Sequence, residues 1–566
     1  MPASERPSHR TDALRPSRTD RNRWLRSSAT STEVNKRVAR MSQFDAVIVG
    51  AGHNGLVCAA YLAKAGKKVC VVERRNIVGG AALTEELWPG FHLSVASYWM
   101  SLMQPKIMLD LDLLKYGVEV IPTPPGIHPF QDGSVVTHWS DVDRMCAEIR
   151  RYSEKDADAY PGYVEHMKKL VGHLRKLLFE VPIDISTGKV KDLTKSAALL
   201  WRMKAAGPMF YDIWDLLTLS CHDFLRRWFE SPQVLTMFGC YTSGSGGNIG
   251  PMVPGTAYVL ARPYLRDGTT KAGQGGLVKG GMGALANAIK QSCLDHGVTI
   301  RCSAPVKEIV VKDKRAVGVR LESGEVIHAK SVVSNANAKT LFLRLLKPQD
   351  LPPAVIDAVK RIRTKASTFK INMALSGLPK WQGLKASDNQ TPGSITIAEN
   401  LEELQTAYES AQHGEMAQHP YMWILTPSMF DPTAAPEGKH TMSLLGGHVP
   451  YALRDGRPWD ETTKEELFNI VVNQIERYAP GFRELVLHKQ VLVPSDLEAM
   501  FDLPDGHVHH GELSIDQIFF RRPIAHYADY RSPIAGLYQC GASTHPGGGV
   551  TGVPGHNAAQ VILSEI

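Results

Sequence analysis

Residues 45–80 read DAVIVGAGHNGLVCAAYLAKAGKKVCVVERRNIVGG. Ala46 to Val49 is a short β-branched run, the pattern of a buried first strand. Gly50, Gly52 and Gly55 follow in the spacing G-x-G-x-x-G. Leu56, Ala59, Ala60 and Ala63 then recur at helical spacing, and Gly66 sits where that helix would end. Lys68 to Val72 is a second β-branched strand that ends on Glu73.

Each part of this stretch has a physical task. Gly50 permits a tight turn, Gly52 lets a pyrophosphate approach the backbone, and Gly55 lets the helix pack on the strand. The helix N-terminus offers free N–H groups and a positive dipole end to phosphates. Glu73 lies 18 residues beyond Gly55. There its carboxylate can accept both ribose hydroxyls of an adenosine, and it repels a 2′-phosphate, which disfavours NADP. An isolated G-x-G-x-x-G is weak evidence; one that follows a strand, opens a helix and is closed by an acid at this distance predicts a dinucleotide-binding unit. NAD and FAD both satisfy it. The continuation through Arg74, Arg75, Gly79 and Gly80 adds a second glycine pair, hence a second close backbone approach, and favours the longer FAD.

At 566 residues the chain has room for two or three domains, or two interleaved ones. It contains no uninterrupted apolar run of about 18 residues, so no transmembrane helix is expected. The eight cysteines are scattered and form no C-x-x-C pair, so neither a redox dithiol nor a metal site is expected, and buried thiols in a reducing compartment are. Of the formal charge of +7, +6 resides in residues 1–40, which hold ten basic and four acidic side chains. The remainder is near neutral, which gives no support for nucleic acid as a partner. The first forty residues are polar and lack apolar periodicity, so disorder is expected, as an unstructured tail or a transit-like segment. A chain beginning at Met41 should therefore keep its bound cofactor and its melting temperature; a large loss of either would show that residues 1–40 pack on the rest.

Helical patterns dominate residues 106–270, as in DADAYPGYVEHMKKLVGHLRKLLFEV and SPQVLTMFGCYTS. The run from Lys189 to Leu219 mixes basic and aromatic residues. It reads as a surface touching a bilayer or as an ordinary helical pair. Residues 275–345 return to α/β grammar: a glycine turn, a helix, a strand, then three strands with turns at Lys312–Arg315 and Glu322–Gly324. Residues 346–500 alternate strands and helices, the pattern of an antiparallel sheet over an active site. The C-terminal stretch GLYQCGASTHPGGGVTGVPGHNAAQVILSEI begins with a strand, passes through Gly541, Gly547, Gly548 and Gly549, and ends in a helix from near Pro554. Such glycines permit unusual dihedrals beside a flat ligand.

The two ends together resemble the phytoene desaturase and carotenoid/retinoid oxidoreductase family, and most of all its group named for a pyridine nucleotide-disulfide oxidoreductase domain. The likeness rests on FDAVIVGAGHNGL from Phe44, ERR…GGAA…TEE from Glu73 to Glu86, KGGMGAL from Lys279, YAPGF from Tyr478, SIDQIFFRRP from Ser514 and THPGGGV from Thr544. Disulfide reductases also carry a C-x-x-C, which is absent, and a second nicotinamide-binding G-x-G-x-x-G unit, which is not recognised here; the GGMG turn at Gly280–Gly283 is not that fingerprint. The resemblance implies an α/β fold: a Rossmann-like, amine oxidase-like FAD-binding domain with an inserted α+β substrate domain. The expected division is 1–40 disordered extension; 41–105, 271–345 and 501–566 FAD-binding segments; 106–270 (mainly helical) and 346–500 substrate-domain segments.

The candidate cofactor-binding residues are Gly50, Gly52, His53, Asn54, Gly55, Glu73, Arg74, Arg75, Gly79, Gly80, Val306, Gly541, Gly548, Gly549 and Val550, with Val306 implied by the resemblance to touch the adenine through its backbone. The Gly547–Gly549 backbone is expected against the isoalloxazine edge, with the helix after Pro554 aimed at the flavin. His545 is the candidate catalytic residue, with a structural role in ordering the glycine loop as the alternative. The resemblance implies an FAD-dependent oxidoreductase that moves hydride between flavin N5 and a small lipophilic, polyene-like substrate. The alternatives are a flavin-containing regulator of respiratory function and an amine oxidase, a class that keeps a lysine near flavin N5 and an aromatic pair before the substrate. Peripheral membrane contact is a further expectation. A bacterial chain would be cytoplasmic; a eukaryotic one would by resemblance lie in the mitochondrial matrix or on the inner-membrane face, with a respiratory-chain protein as partner.

Overall fold

The computed structural model describes residues 43–184, 207–245, 247–266, 275–384 and 392–566. The extension 1–40, and the part of the basic aromatic run that precedes residue 207, lie outside these.

The chain begins with β1 (Phe44–Val49), α1 (His53–Lys64) and β2 (Val69–Val72). Both strands are β-branched and buried almost throughout, as strands covered on both faces must be. α1 ends at Ala65, and Gly66 takes φ +79, the left-handed conformation that closes a helix. The first insertion supplies two short strands, β3 (Ile127–Pro129) and β4 (Val135–Thr137). It then forms helices α2 (Glu154–Arg175), α3 (Met209–Thr218) and α4 (Pro232–Gly239), and a 3₁₀ segment at Ala257–Tyr264. α5 (Met282–Asp295), β5 (Thr299–Arg301), β6 (Val306–Lys312), β7 (Arg315–Leu321) and β8 (Val326–Ser334) follow. The second insertion gives β9 (Thr368–Leu375), β10 (Ile395–Ile397), β11 (Tyr421–Leu425), β12 (His440–Gly447) and β13 (Val486–Leu492). β14 (Leu537–Gln539) and α6 (Val553–Leu563) close the chain.

Two seven-stranded sheets result. In the first, β14, β8, β1, β2 and β5 run parallel in that order. β6 and β7 add an antiparallel meander on the first half of β8. α1, α5 and α6 cover this sheet, and the contact of α6 with α1 depends on Gly555, where a Cβ would lie 2.2 Å from Asn54 O. The second sheet has the order β13–β9–β12–β11–β10–β3–β4 and is antiparallel except between β3 and β10. The helical segment packs its own core of Tyr163, Met167, Phe224, Phe229 and Met237 beside this sheet. No helix among the described residues is long and apolar enough to cross a membrane. All eight cysteines are free, and only Cys302 is not buried.

The substrate-side sheet is legible in β9. Phe369, Ile371, Met373 and Leu375 point one way into an apolar core. Thr368, Lys370, Asn372 and Ala374 point the other way, and all eight residues are buried. A polar face on a fully buried strand must meet polar partners or a site.

Candidate active site

α1 starts without a side-chain cap: its N-cap is Gly52, which leaves the first-turn N–H groups available to an anion. Gly50 takes φ +95, and a Cβ on Gly55 would lie 2.2 Å from Gly50 O, so the first glycine makes the turn and the third lets helix and strand touch. The second glycine pair folds against the first. Gly79 N donates to Ala51 O at 2.9 Å, and Gly80 lies so close that its Cβ would be 3.3 Å from Gly52 Cα. Asn335, the residue after β8, closes this cradle, with its Nδ2 2.8 Å from where a Gly52 Cβ would be.

Glu73 is buried at the end of β2. Oε2 accepts from Ala51 N at 2.8 Å and Oε1 from Arg75 N at 2.9 Å, while Glu73 N donates to Arg301 O on β5. Two backbone donors and a strand on either side fix its carboxylate at the cavity wall. Arg74 donates to the Ala499 carbonyl at 3.1 Å, and Arg75 pairs with Glu85 at 2.7 Å, so both arginines brace the wall as well as lining it.

These residues open into one cavity of about 940 Å3. Gly50, Gly52, His53, Asn54, Glu73, Arg74, Arg75, Gly79, Gly80 and Val306 line one end, Val306 beside Ala304 and Pro305. The cavity continues past Ala96–Leu102 and Gly548–Val550 to a chamber walled by Lys370, Tyr421, Trp423 and Leu445 of the second sheet and by Met237, Tyr241, Arg262 and Arg266 of the helical segment. Tyr98 and Trp423 rings lie 5.4 Å apart, and Trp99 meets Trp423 edge-on at 5.7 Å.

Several expectations are corrected. His545 does not line the cavity. Its Nε2 lies 2.9 Å from the Leu177 carbonyl and its ring meets Phe519 edge-on, while burial depresses its pKa to about 4. It ties the glycine loop to the helical segment, which is the structural alternative and not a catalytic place. Gly541 is also off the wall: its missing side chain makes room for the Asn335 carbonyl, 2.5 Å from where a Cβ would be. Gly55 acts through packing alone. Gly547 faces Leu513 and Arg522, leaving Gly548, Gly549 and Val550 as the lining part of the loop. A side chain on Gly548 would collide with His509, 2.7 Å from its Cα, so that substitution disturbs protein packing before it reaches any ligand. The first turn of α6 does not line the cavity either; Gly552 at its start backs onto Ile107 and Met103.

Sequence reading passed over Lys370. Its side chain is wholly buried, its Nζ donates to Ser443 Oγ and lies 3.6 Å from the Tyr98 ring centre. Ser443 in turn donates to Asn372 Oδ1 at 2.6 Å. Burial pushes the ammonium well below the ordinary lysine range. The aromatic wall was missed too, because Tyr98, Tyr421 and Trp423 come from a loop and a strand far from the C-terminal glycines. The polar alternation of β9 could have singled out Lys370; nothing local marks the aromatics.

The cradle fits FAD. His53 Nε2, at the mouth of the helix, is sealed from solvent and has no hydrogen-bond partner among the described residues, as a group meant for a ligand would be. Glu73 is placed to take the ribose hydroxyls, and the α1 N-terminus with the Gly79–Gly80 backbone would hold the pyrophosphate. Replacing Glu73 by Ala should weaken FAD by about 1.5–3 kcal/mol, the worth of hydrogen bonds to a charged group. Equilibrium dialysis of the variant with FAD checks this; unchanged affinity would remove Glu73 from the ribose.

A glycine cradle with a closing acid, opening into a chamber roofed by a second sheet, defines an FAD-dependent oxidoreductase. The chain belongs to the flavin-containing amine oxidoreductase family, whose profile matches residues 55–563. Rat pyridine nucleotide-disulfide oxidoreductase domain-containing protein 2 is 36% identical over 546 residues, covering 93% of this chain and 94% of the relative. A phytoene desaturase (lycopene-forming) of Pseudescherichia vulneris is 24% identical over 517 residues, covering 90% and 96%. The solved structure of cyclohexylamine oxidase from Brevibacterium oxydans shares the fold, with a TM-score of 0.56 at 15% identity, over 92% of this chain and 99% of that one.

Proposed function

We propose that the protein dehydrogenates a lipophilic, polyene-like substrate at a carbon held in the chamber. The observation that carries this reading is the chamber wall: Leu102, Met237, Tyr241, Tyr421, Trp423 and Leu445 present apolar and aromatic surface. FAD, when bound, supplies the two-electron acceptor. Lys370 is the proton acceptor of this scheme. Burial lowers its pKa and so favours the uncharged amine, Ser443 fixes it in place, and in this scheme it takes the proton lost by the carbon that gains the double bond. The aromatic wall keeps water from the reacting carbon. Tyr211 and Trp214, exposed on α3, support a bilayer as the source of such a substrate.

A second reading is amine oxidation, favoured by the same Lys370 and by the Tyr98–Trp423 wall. Anaerobic titration of the flavin separates the two. Terpenoid and lipid extracts should bleach the flavin while a panel of primary and secondary amines should not. Bleaching by amines alone would establish the second reading, and bleaching by neither would leave a flavin-containing regulator with little turnover.

A further inference from the structure

Arg262 and Arg266 face the chamber from the 3₁₀ segment Ala257–Tyr264 and the residues just after it. Arg262 makes one hydrogen bond among the described residues, from Nη1 to the Ser245 carbonyl at 2.7 Å. Arg266 makes one, from Nη1 to the Met100 carbonyl at 3.1 Å. Neither has a carboxylate partner among the described residues. The rest of the Arg262 guanidinium looks into the cavity, Nη2 lying 3.9 Å from where a Gly549 Cβ would be.

The acids of this cavity are all elsewhere. Its lining carboxylates are Glu73, Glu322 and Asp502. Glu73 ends β2 in the glycine cradle, Glu322 follows β7 and hydrogen-bonds Pro305, and Asp502 is paired with Arg344 beside the Arg74 contact. Among the described residues, therefore, the chamber has two guanidiniums and no counter-charge. The other basic groups nearby do not change the balance. Burial lowers the pKa of Lys370 and so disfavours its charged form. His509 Nε2 lies 2.6 Å from the same Ser245 carbonyl, and burial with the neighbouring Arg262 depresses its pKa to about 3, so it stays neutral. A cation drawn partly out of water without an anion is costly, and arginine cannot shed its proton.

We propose that the chamber binds the anionic head of an amphiphile: a carboxylate paired with the Arg262 guanidinium, with Arg266 as the second cation, and the chain lying along the aromatic wall. This rests on the lipophilic reading above and deepens it by naming the head group. The arrangement disfavours a cationic amine, which would face two positive charges. The same guanidinium could instead serve a phosphate of FAD, and the experiment below tells the two anions apart.

Purified FAD-loaded protein is titrated with dodecanoate, dodecanol and glutarate, and binding is read from the perturbed flavin absorption. Dodecanoate should bind about tenfold or more tighter than dodecanol, the worth of a charge-assisted hydrogen bond. Arg262→Gln should erase that difference with its flavin content unchanged, and Arg262→Lys, which keeps the charge, should restore part of it. Equal binding of acid and alcohol overturns the anionic head and leaves the lipophilic reading standing. Binding of glutarate and dodecanoate alike, with equal loss in Arg262→Gln, keeps the anion site and removes the lipophilic reading. Loss of FAD from Arg262→Gln with dodecanoate preference intact in the reloaded protein assigns the guanidinium to the cofactor and overturns the proposal, as does failure of all three probes to bind.

Discussion

A Gly52→Val variant should be recovered folded and colourless. Gly52 is the N-cap of α1 with φ −67 and ψ 163, an extended conformation that any residue adopts, so the backbone itself is not strained by a side chain. The added atoms meet Asn335 Nδ2 at 2.8 Å and fill the space where the backbone should touch the pyrophosphate. Overpacking costs about 1–3 kcal/mol, and each lost hydrogen bond to a charged group about 1.5–3 kcal/mol. Two such bonds lost to the pyrophosphate predict an affinity for FAD lower by roughly two to four decades. The comparison is with parent protein stripped of its flavin: the variant should match its circular dichroism and melt below it by no more than the overpacking against Asn335 costs. Gly55→Val makes the contrast, because its Cβ would sit 2.2 Å from Gly50 O and the helix must leave the strand. A yellow Gly52→Val with stoichiometric FAD would mean that the pyrophosphate lies elsewhere, and the cradle assignment would fail with it.

The cofactor cradle is legible in sequence because its determinants are local. Phe44 to Glu73 is one strand, one turn, one helix and one more strand, and the tasks of its glycines and acid depend chiefly on neighbours within that unit. The C-terminal loop shows where local reading stops. Glycine density and a histidine beside it suggested a catalytic His545, yet the imidazole turns to the Leu177 carbonyl, 368 residues away in the chain, a partner no spacing rule supplies. Gly548 likewise is glycine because His509 packs on it. The chamber is assembled from a 3₁₀ segment, a loop and strands of two insertions. Its charge pattern exists only once Arg262, Arg266 and Lys370 are brought to one space. Lys370 stands between, since strand alternation marks its face as polar while only the tertiary fold shows that this face is closed to solvent.

Lys370→Met should lower turnover by about two to four decades, the range for a positioned proton-transfer group, while leaving FAD bound. Methionine keeps the length and apolar stem of the side chain, so packing against Tyr98 survives and the amine alone is lost. A second readout separates chemistry from structure. Burial lowers the folded-state pKa of Lys370 beneath its unfolded value, so between those two values the unfolded chain binds one more proton than the folded one. Stability from this group must therefore rise with pH across that window, by about 1.4 kcal/mol per pH unit, and level off above the unfolded lysine pKa of about 10.4. Removing the amine removes the slope, so Lys370→Met should gain on the parent as pH falls from 10 toward neutrality. Denaturant unfolding of the flavin-free parent and variant at several pH values measures the difference directly. If the two proteins keep parallel stability profiles, Lys370 carries its proton in the folded state. It could not then accept one from substrate, and the proton-transfer role would have to be given up even if turnover fell.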